Sequence, residues 1–179
     1  MIPASSAGAA PTPSAQLLER TSMPAARRGL TVALAVLLLD QASKAAVLAL
    51  LAEPITVTGF FNLVLVWNRG VSFGMLGGLG AAAPWLLVAL ALAVAAALTV
   101  WLWRETRPLT GLALGLVIGG AIGNAIDRAQ FGAVVDFLDF HVLGYHWPAF
   151  NVADSAIVVG AGLLVLDGLR AGRPATKQT

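Results

Sequence analysis

The chain has 179 residues, of which 58% are hydrophobic and 11% charged, and its mean hydropathy is +0.83. Soluble domains carry about 25% charged residues, so this composition belongs to the membrane class. The formal net charge of +2 is too small to argue for a nucleic-acid partner, and the absence of cysteine excludes disulfides, thiolate metal sites and a cysteine nucleophile.

Residues 1–23 are rich in Ala, Pro and Ser without an apolar period, and the predicted disordered cytoplasmic tail is drawn to residue 28. A single integral membrane domain follows over 29–171, then a short cytoplasmic tail at 172–179. About 20 apolar residues cross a bilayer as a helix. Four segments qualify: 30–51, 81–103, 109–126 and 152–169. The first is a retained anchor and not a cleaved signal peptide, because its apolar run is too long and it holds Asp40 and Lys44. Those two lie four apart on one helix face, where an ion pair keeps both in the membrane. A structural tie between helices and a direct substrate contact are both open to them, since intramembrane charges are functional candidates.

Between the first two spans, ITVTGFFNLVLVW at 55–67 is rich in β-branched and aromatic residues and is followed by Asn68-Arg69-Gly70. One or two strands with turns are predicted. An open sheet edge is not tolerated in lipid, so the strands belong at the interface, with Phe60, Phe61 and Trp67 as anchors. GVSFG at 70–74 has the spacing of a nucleophile elbow around Ser72 but lacks its strand, turn, helix and histidine context.

In the third span Gly111, Gly115, Gly119 and Gly123 are spaced by four, a face on which helix backbones approach closely. Ala156 and Gly160 offer a similar surface in the fourth. The third span ends in Asn124, Asp127 and Arg128. Residues 133–150 mix apolar, aromatic, Asp and His residues, and a short interfacial helix is expected there, with Tyr145 and Trp147 at headgroup level. His141 and His146 are five apart, unlike the i, i+4 pair of a helical zinc motif, although Asp136 and Asp139 lie near enough to leave a zinc site open.

Basic residues set the orientation. Arg20, Arg27 and Arg28 precede the first span, Arg104 and Arg107 fill the link between the second and third, and Arg170, Arg173 and Lys177 follow the fourth. The two long connections hold only Arg69 and Arg128. Both termini are therefore expected to be cytoplasmic and the long connections to face outward. The outer ends of the third and fourth spans are joined by residues 127–151 alone, so Asp127, Asp136 and Asp154 can converge there beside Asn124 and Asn151. Two carboxylates held close cannot easily both ionise; one keeps a proton while the other is charged, which suits activation of water and protonation of a leaving amine. Asp154 also lies in the first turn of a helix, where the dipole favours a carboxylate. The rival reading from another class is a small proton or cation transporter subunit that uses the intramembrane carboxylates.

Five pieces in order, DQASK at 40–44, FFNLVLVWNRGVSFG at 60–74, GNAIDR at 123–128, GAVVDFLDF at 132–140 and FNVADSAI at 150–157, resemble the lipoprotein signal peptidase (signal peptidase II) family. The resemblance implies an all-α membrane protein of four transmembrane helices with a small extracytoplasmic β-cradle and a short interfacial helix. It implies an intramembrane aspartyl endopeptidase of the bacterial cytoplasmic membrane, cutting prolipoproteins before a lipidated cysteine, with its active site near the outer face. The catalytic pair maps to Asp136 and Asp154. Asn68, Gly70, Asn124, Arg128 and Asn151 match residues lining the family site, and Asp40 and Lys44 match its first-span pair. Neither metal nor cofactor is implied, and a monomer is expected. Asp127 is assigned a structural role, paired to Arg128. Asp139 is expected to face elsewhere, as a solvated or helix-capping residue. Val71 and Ser72 stand where the family usually has smaller residues, and Arg69 adds a charge to the same turn, so altered substrate contacts are expected there.

Overall fold

The structure is a computed structural model that describes residues 25–70, 80 and 82–171. The predicted tails at 1–23 and 172–179, and the Val71 and Ser72 positions, lie outside the described residues. In chain order the elements are α1 (Ala25–Leu50), β1 (Ile55–Thr58), β2 (Phe61–Asn68), α2 (Ala83–Arg104), α3 (Pro108–Phe131), β3 (Val134–Val142), β4 (Tyr145–His146) and α4 (Val152–Ala171). All four helices are long and apolar enough to cross a membrane. α1 begins ahead of its predicted start at residue 30 and takes in residues 25–28, which were set with the tail.

α3 is the central helix and packs on the other three. Its glycines make that possible. A Cβ at Gly111 would lie 2.8 Å from the Ala25 carbonyl oxygen, one at Gly119 2.5 Å from that of Ala33, and one at Gly115 would strike the Gly29 carbonyl. The spacing of four on α3 is thus met by Ala25, Gly29 and Ala33 on α1, also four apart. In lipid, where apolar burial gives little drive between helices, such close backbone contact is what holds them together. Leu102, Leu114 and Ile118 fill the remaining space against Ala26 and Ala33. On the other side of α3, Gly160 of α4 meets the Ala113 carbonyl, where a Cβ would lie at 2.7 Å.

Pro108 opens α3 at its first turn, where a missing N–H costs nothing. Gly132 closes it with φ 70°, and its N–H returns to the Arg128 carbonyl at 3.0 Å. The helix therefore runs past residue 126, the end of the predicted span, and carries Asp127 and Arg128 on its last turns.

The predicted strands at 55–67 are present as β1 and β2. They belong to a four-stranded antiparallel sheet in the order β1-β2-β3-β4. The interfacial helix expected at 133–150 is not there; that stretch supplies β3 and β4. Val134, Val135, Phe137, Phe140 and Val142 suit a pleated surface, and β2 offers an antiparallel partner edge from Asn68↔Val134 to Phe61↔Phe140, interrupted by a register shift between Leu63 and Val66. Beyond β4 the chain returns to β3. The Phe150 carbonyl accepts the N–H groups of Phe137 (3.0 Å) and Leu138 (2.9 Å), and the Phe150 N–H donates to the Leu138 carbonyl (3.1 Å). This clasp sets the first turn of α4 against the start of β3.

Candidate active site

At the sheet end of an otherwise apolar molecule, polar residues of α1, β2, β3, α3 and α4 form a connected cluster. Its foundation is Lys44 on α1, which is 3% exposed. The Lys44 ammonium sits 2.8 Å from Asp40 Oδ2, 2.8 Å from Asp127 Oδ2 and 3.1 Å from Asn124 Oδ1. A buried cation with three acceptors has little left to offer a substrate. Asp40 in turn accepts the Ala153 N–H at 2.9 Å through Oδ1, which fastens the N-terminus of α4 to α1. Asp40 and Lys44 therefore form the expected ion pair, and that pair is shared with Asp127.

The expected partner of Asp127 was Arg128, and this is corrected. Asp127 pairs with Lys44 and accepts the Val135 N–H at 3.0 Å and the Gln41 amide at 3.0 Å. Adjacent residues on a helix point about 100° apart, so an i, i+1 pair does not share a face, whereas α1 presents Lys44 directly to the Asp127 face. Gln41 was missed by sequence reasoning. Its amide also donates to Asp40 Oδ2 at 3.1 Å. An amide beside an intramembrane carboxylate was the available signal, since a polar group in lipid must find partners.

Above this base sit the two aspartates named as the catalytic pair. Asp136 is on β3 and 1% exposed. It accepts from Asn68 Nδ2 at 2.9 Å and from Asn151 Nδ2 at 2.7 Å. Asp154, in the first turn of α4, accepts from Asn124 Nδ2 at 2.7 Å and from the Asn151 N–H at 3.3 Å. Asn151 thus touches both carboxylates, and its Nδ2 also lies 3.2 Å from Asn124 Oδ1. Burial pushes the Asp136 carboxyl up from its ordinary 3.8 to about 6; the Asn68 hydrogen bond opposes this shift, and the nearby Asp154 charge adds to it.

Asn68 is oriented by Gly70. The Gly70 N–H donates to Asn68 Oδ1 at 2.8 Å, leaving Nδ2 for Asp136. Gly70 has φ 71°, and a Cβ there would lie 2.8 Å from Leu87 Cδ1 and 3.4 Å from Arg128 Nη2, so both conformation and space require glycine. Arg128 donates to the Asn124 carbonyl at 3.4 Å through Nη1, and its charge lies close enough to Asp154, Asp136 and Asp127 to interact with each. Its Nε is buried without a partner among the described residues.

A cleft of about 510 Å³ opens beside Asp136, lined also by Val66, Trp67, Asn68, Arg69, Pro148 and Ala149. A second cleft, about 300 Å³, lies among Phe60, Phe140, His141, Val142, Tyr145 and Trp147 and carries no carboxylate. Asp139 does face away from the cluster, but it is neither solvated nor a helix cap: it is 7% exposed and accepts from Asn62 Nδ2 at 2.9 Å and meets His146 Nδ1 at 2.8 Å. These contacts, the asparagine amide first, hold its carboxyl below the ordinary value. The register that sets Asn62 opposite Asp139 needs the strand pairing and was not legible beforehand. The rings of His141 and His146 stack with centroids 4.8 Å apart, and Asp136 is engaged by asparagines instead of by either of them.

Residues 32–170 match the family model described as Signal peptidase (SPase) II. Similar curated proteins include lipoprotein signal peptidases of three bacteria. That of Methylobacterium radiotolerans is 48% identical over 147 residues, 80% of this chain and 86% of that one. That of Ralstonia nicotianae is 51% identical over 138 residues, 75% and 79%. That of Burkholderia mallei is 46% identical over 164 residues, 90% and 99%. Among solved structures, a bacterial membrane enzyme determined by the in meso method at 2.3 Å resolution matches with a TM-score of 0.69 at 28% identity, covering 84% of this chain and 93% of that one.

Proposed function

This chain belongs to the signal peptidase II family, and on that premise we propose that it is an aspartic endopeptidase which removes signal peptides from diacylglyceryl-modified prolipoproteins, with Asp136 and Asp154 as its catalytic pair. The observation that carries the reading is the meeting of the buried Asp136 and the half-buried Asp154 carboxylates at Asn151, each held by asparagine N–H donors. The substrate arrives through the bilayer as a helix and unwinds at the rim, because a helix hides its carbonyls. The cleft beside Asp136 takes the unwound stretch, and the lipid chains lie along apolar faces of the spans. Both termini and the 104–108 link are cytoplasmic in this reading, so the site faces outward. One chain supplies every group, and a monomer is the acting unit.

In the reaction a water bridges the pair. Asp154 is held by two N–H donors at the positive end of α4 and takes the proton of the attacking water. Asp136, whose carboxyl titrates near 6, keeps its proton until the tetrahedral intermediate collapses and then gives it to the leaving nitrogen. The oxygen of the former carbonyl gains negative charge on the way, and Arg128, whose Nε has no partner among the described residues, is a cation with a spare donor for it. Asn124, Asn151 and Asn68 fix both carboxylates. Lys44, Asp40 and Asp127 act from beneath, holding Asn124 and the start of α4.

The transporter alternative needs a polar line across the membrane. Residues 111–123 of the central helix carry no polar side chain, and no observation favours that reading.

The test is cleavage of a diacylated lipobox peptide by the purified full chain. The wild type cuts it and leaves the unlipidated twin intact. Asp136→Asn and Asp154→Asn each abolish cleavage, a loss of at least about a thousandfold for removing one member of a cooperating pair, while keeping the wild-type circular dichroism and elution profile. Full turnover by either variant overturns the pair.

A further inference from the structure

Of the three cations in the outer half of the molecule, two lie among its own carboxylates. Lys44 is buried between Asp40 and Asp127 at 2.8 Å from each. Arg128 lies among Asp154, Asp136 and Asp127. Arg69 differs from both. It is exposed, it forms no ion pair among the described residues, and the adjoining residues 71–79 contain no acid that could neutralise it. Yet it stands in the wall of the cleft that holds Asp136, next in sequence to the asparagine that grips this aspartate. The ionisation of Asp136 answers to its burial, to Asn68, Asp154, Asn151 and Lys44; the Arg69 guanidinium is left to face whatever occupies the cleft.

Resting on the peptidase reading above, we propose that Arg69 is a specificity-determining residue that favours substrates bearing a carboxylate side chain among the first few residues after the lipidated cysteine. The side of the scissile bond follows from solvation. The signal-peptide side lies in lipid, where a charged side chain is costly. The mature side leads out to water, and a carboxylate there can reach an exposed guanidinium. Without Arg69, an acidic residue in this cleft would face the Asp136–Asp154 pair without an exposed cation in the cleft wall, since Lys44 and Arg128 already lie among the protein's own carboxylates. With it, the local field is balanced, and a carboxylate gains a planar, two-pronged donor. An exposed ion pair of this kind is modest in strength, so the preference is graded.

The experiment compares kcat/KM for three diacylated peptides that differ only in the second to fourth residues after the cysteine: acidic, amide and basic. They are presented to the full chain in zwitterionic nanodiscs, so that membrane charge does not sort the peptides. The wild type favours the acidic over the amide peptide by about two- to fivefold and disfavours the basic one. Raising salt narrows the spread, because an exposed pair is screened. Arg69→Gln removes the order, Arg69→Glu reverses it, and Arg69→Lys keeps its direction. Equal rates for all three peptides with the wild type, or an unchanged order in Arg69→Gln, overturn the assignment to Arg69. Failure to cut any of them would instead remove the peptidase reading on which it rests.

Discussion

Asp136 places an ionisable group where water scarcely reaches, and the consequence is measurable in stability as well as in turnover. Its carboxyl titrates near 6 in the folded protein against 3.8 ordinarily. The native state therefore binds the proton more tightly than the unfolded chain does. The stability this contributes is fully present below about pH 4 and is lost as pH rises through about 6, an effect on the order of 3 kcal/mol at most. Thermal unfolding of Asp136→Asn beside the wild type reads it directly: the variant gains relative to the wild type between pH 5 and 7.5, and a constant difference across that range would refute the shift. At this scale the sequence was informative about which residues gather at the rim and poor on which touch which. Asp136, Asp154, Asn124 and Asn151 were legible because ionisable and amide groups are rare in so apolar a chain. The partners of Asp127 and Asp139 were not, because they are set by the rotation of α1 against α3 and by the pairing of β2 with β3.

The helices were legible from their apolar runs, and the glycine spacing on α3 pointed to the face that packs. What the sequence could not supply was the matching Ala25, Gly29 and Ala33 row on α1. The contact makes a sharp prediction. Gly115→Val would drive a branched side chain into the Gly29 carbonyl. Overpacking costs typically about 1–3 kcal/mol, and a backbone obstacle that cannot rotate away belongs at the upper end. Because the same two helices carry Lys44 and Asn124, the variant loses cleavage along with thermal stability. Gly162→Ala is the control: a Cβ there meets nothing within 4 Å, and the gain in helix propensity is up to about 1 kcal/mol. Equal melting temperatures for the two variants would mean the row is not what joins α1 to α3. β3 escaped sequence reasoning for a different cause. Its apolar residues do not alternate cleanly, because β3 is covered on both faces along its first half, and a run of that kind is also compatible with a short helix.

Across the whole molecule the two ends are chemically unlike. The rim built by α1, α3, α4 and the sheet holds the carboxylates and amides. At the opposite end Arg107 meets Asp167 at 2.9 Å and Thr110 donates to the same carboxylate at 2.5 Å, a small clamp between the α2–α3 link and the end of α4. Between them the central helix is apolar from Gly111 to Gly123. Proteolysis of an exported substrate requires the rim to face outward, and the excess of arginine at the clamp end argues for the same direction. The chain has no cysteine, so single introduced thiols report this without background. Leu143 at the tip of the β3–β4 hairpin is fully exposed, and Thr106 in the α2–α3 link is exposed, its side chain without a hydrogen bond among the described residues. Leu143→Cys should react with a membrane-impermeant maleimide in intact spheroplasts, and Thr106→Cys only after lysis. The reverse pattern would turn the site toward the cytoplasm, where no exported prolipoprotein presents its cleavage site, and the proposed activity would lose its substrate.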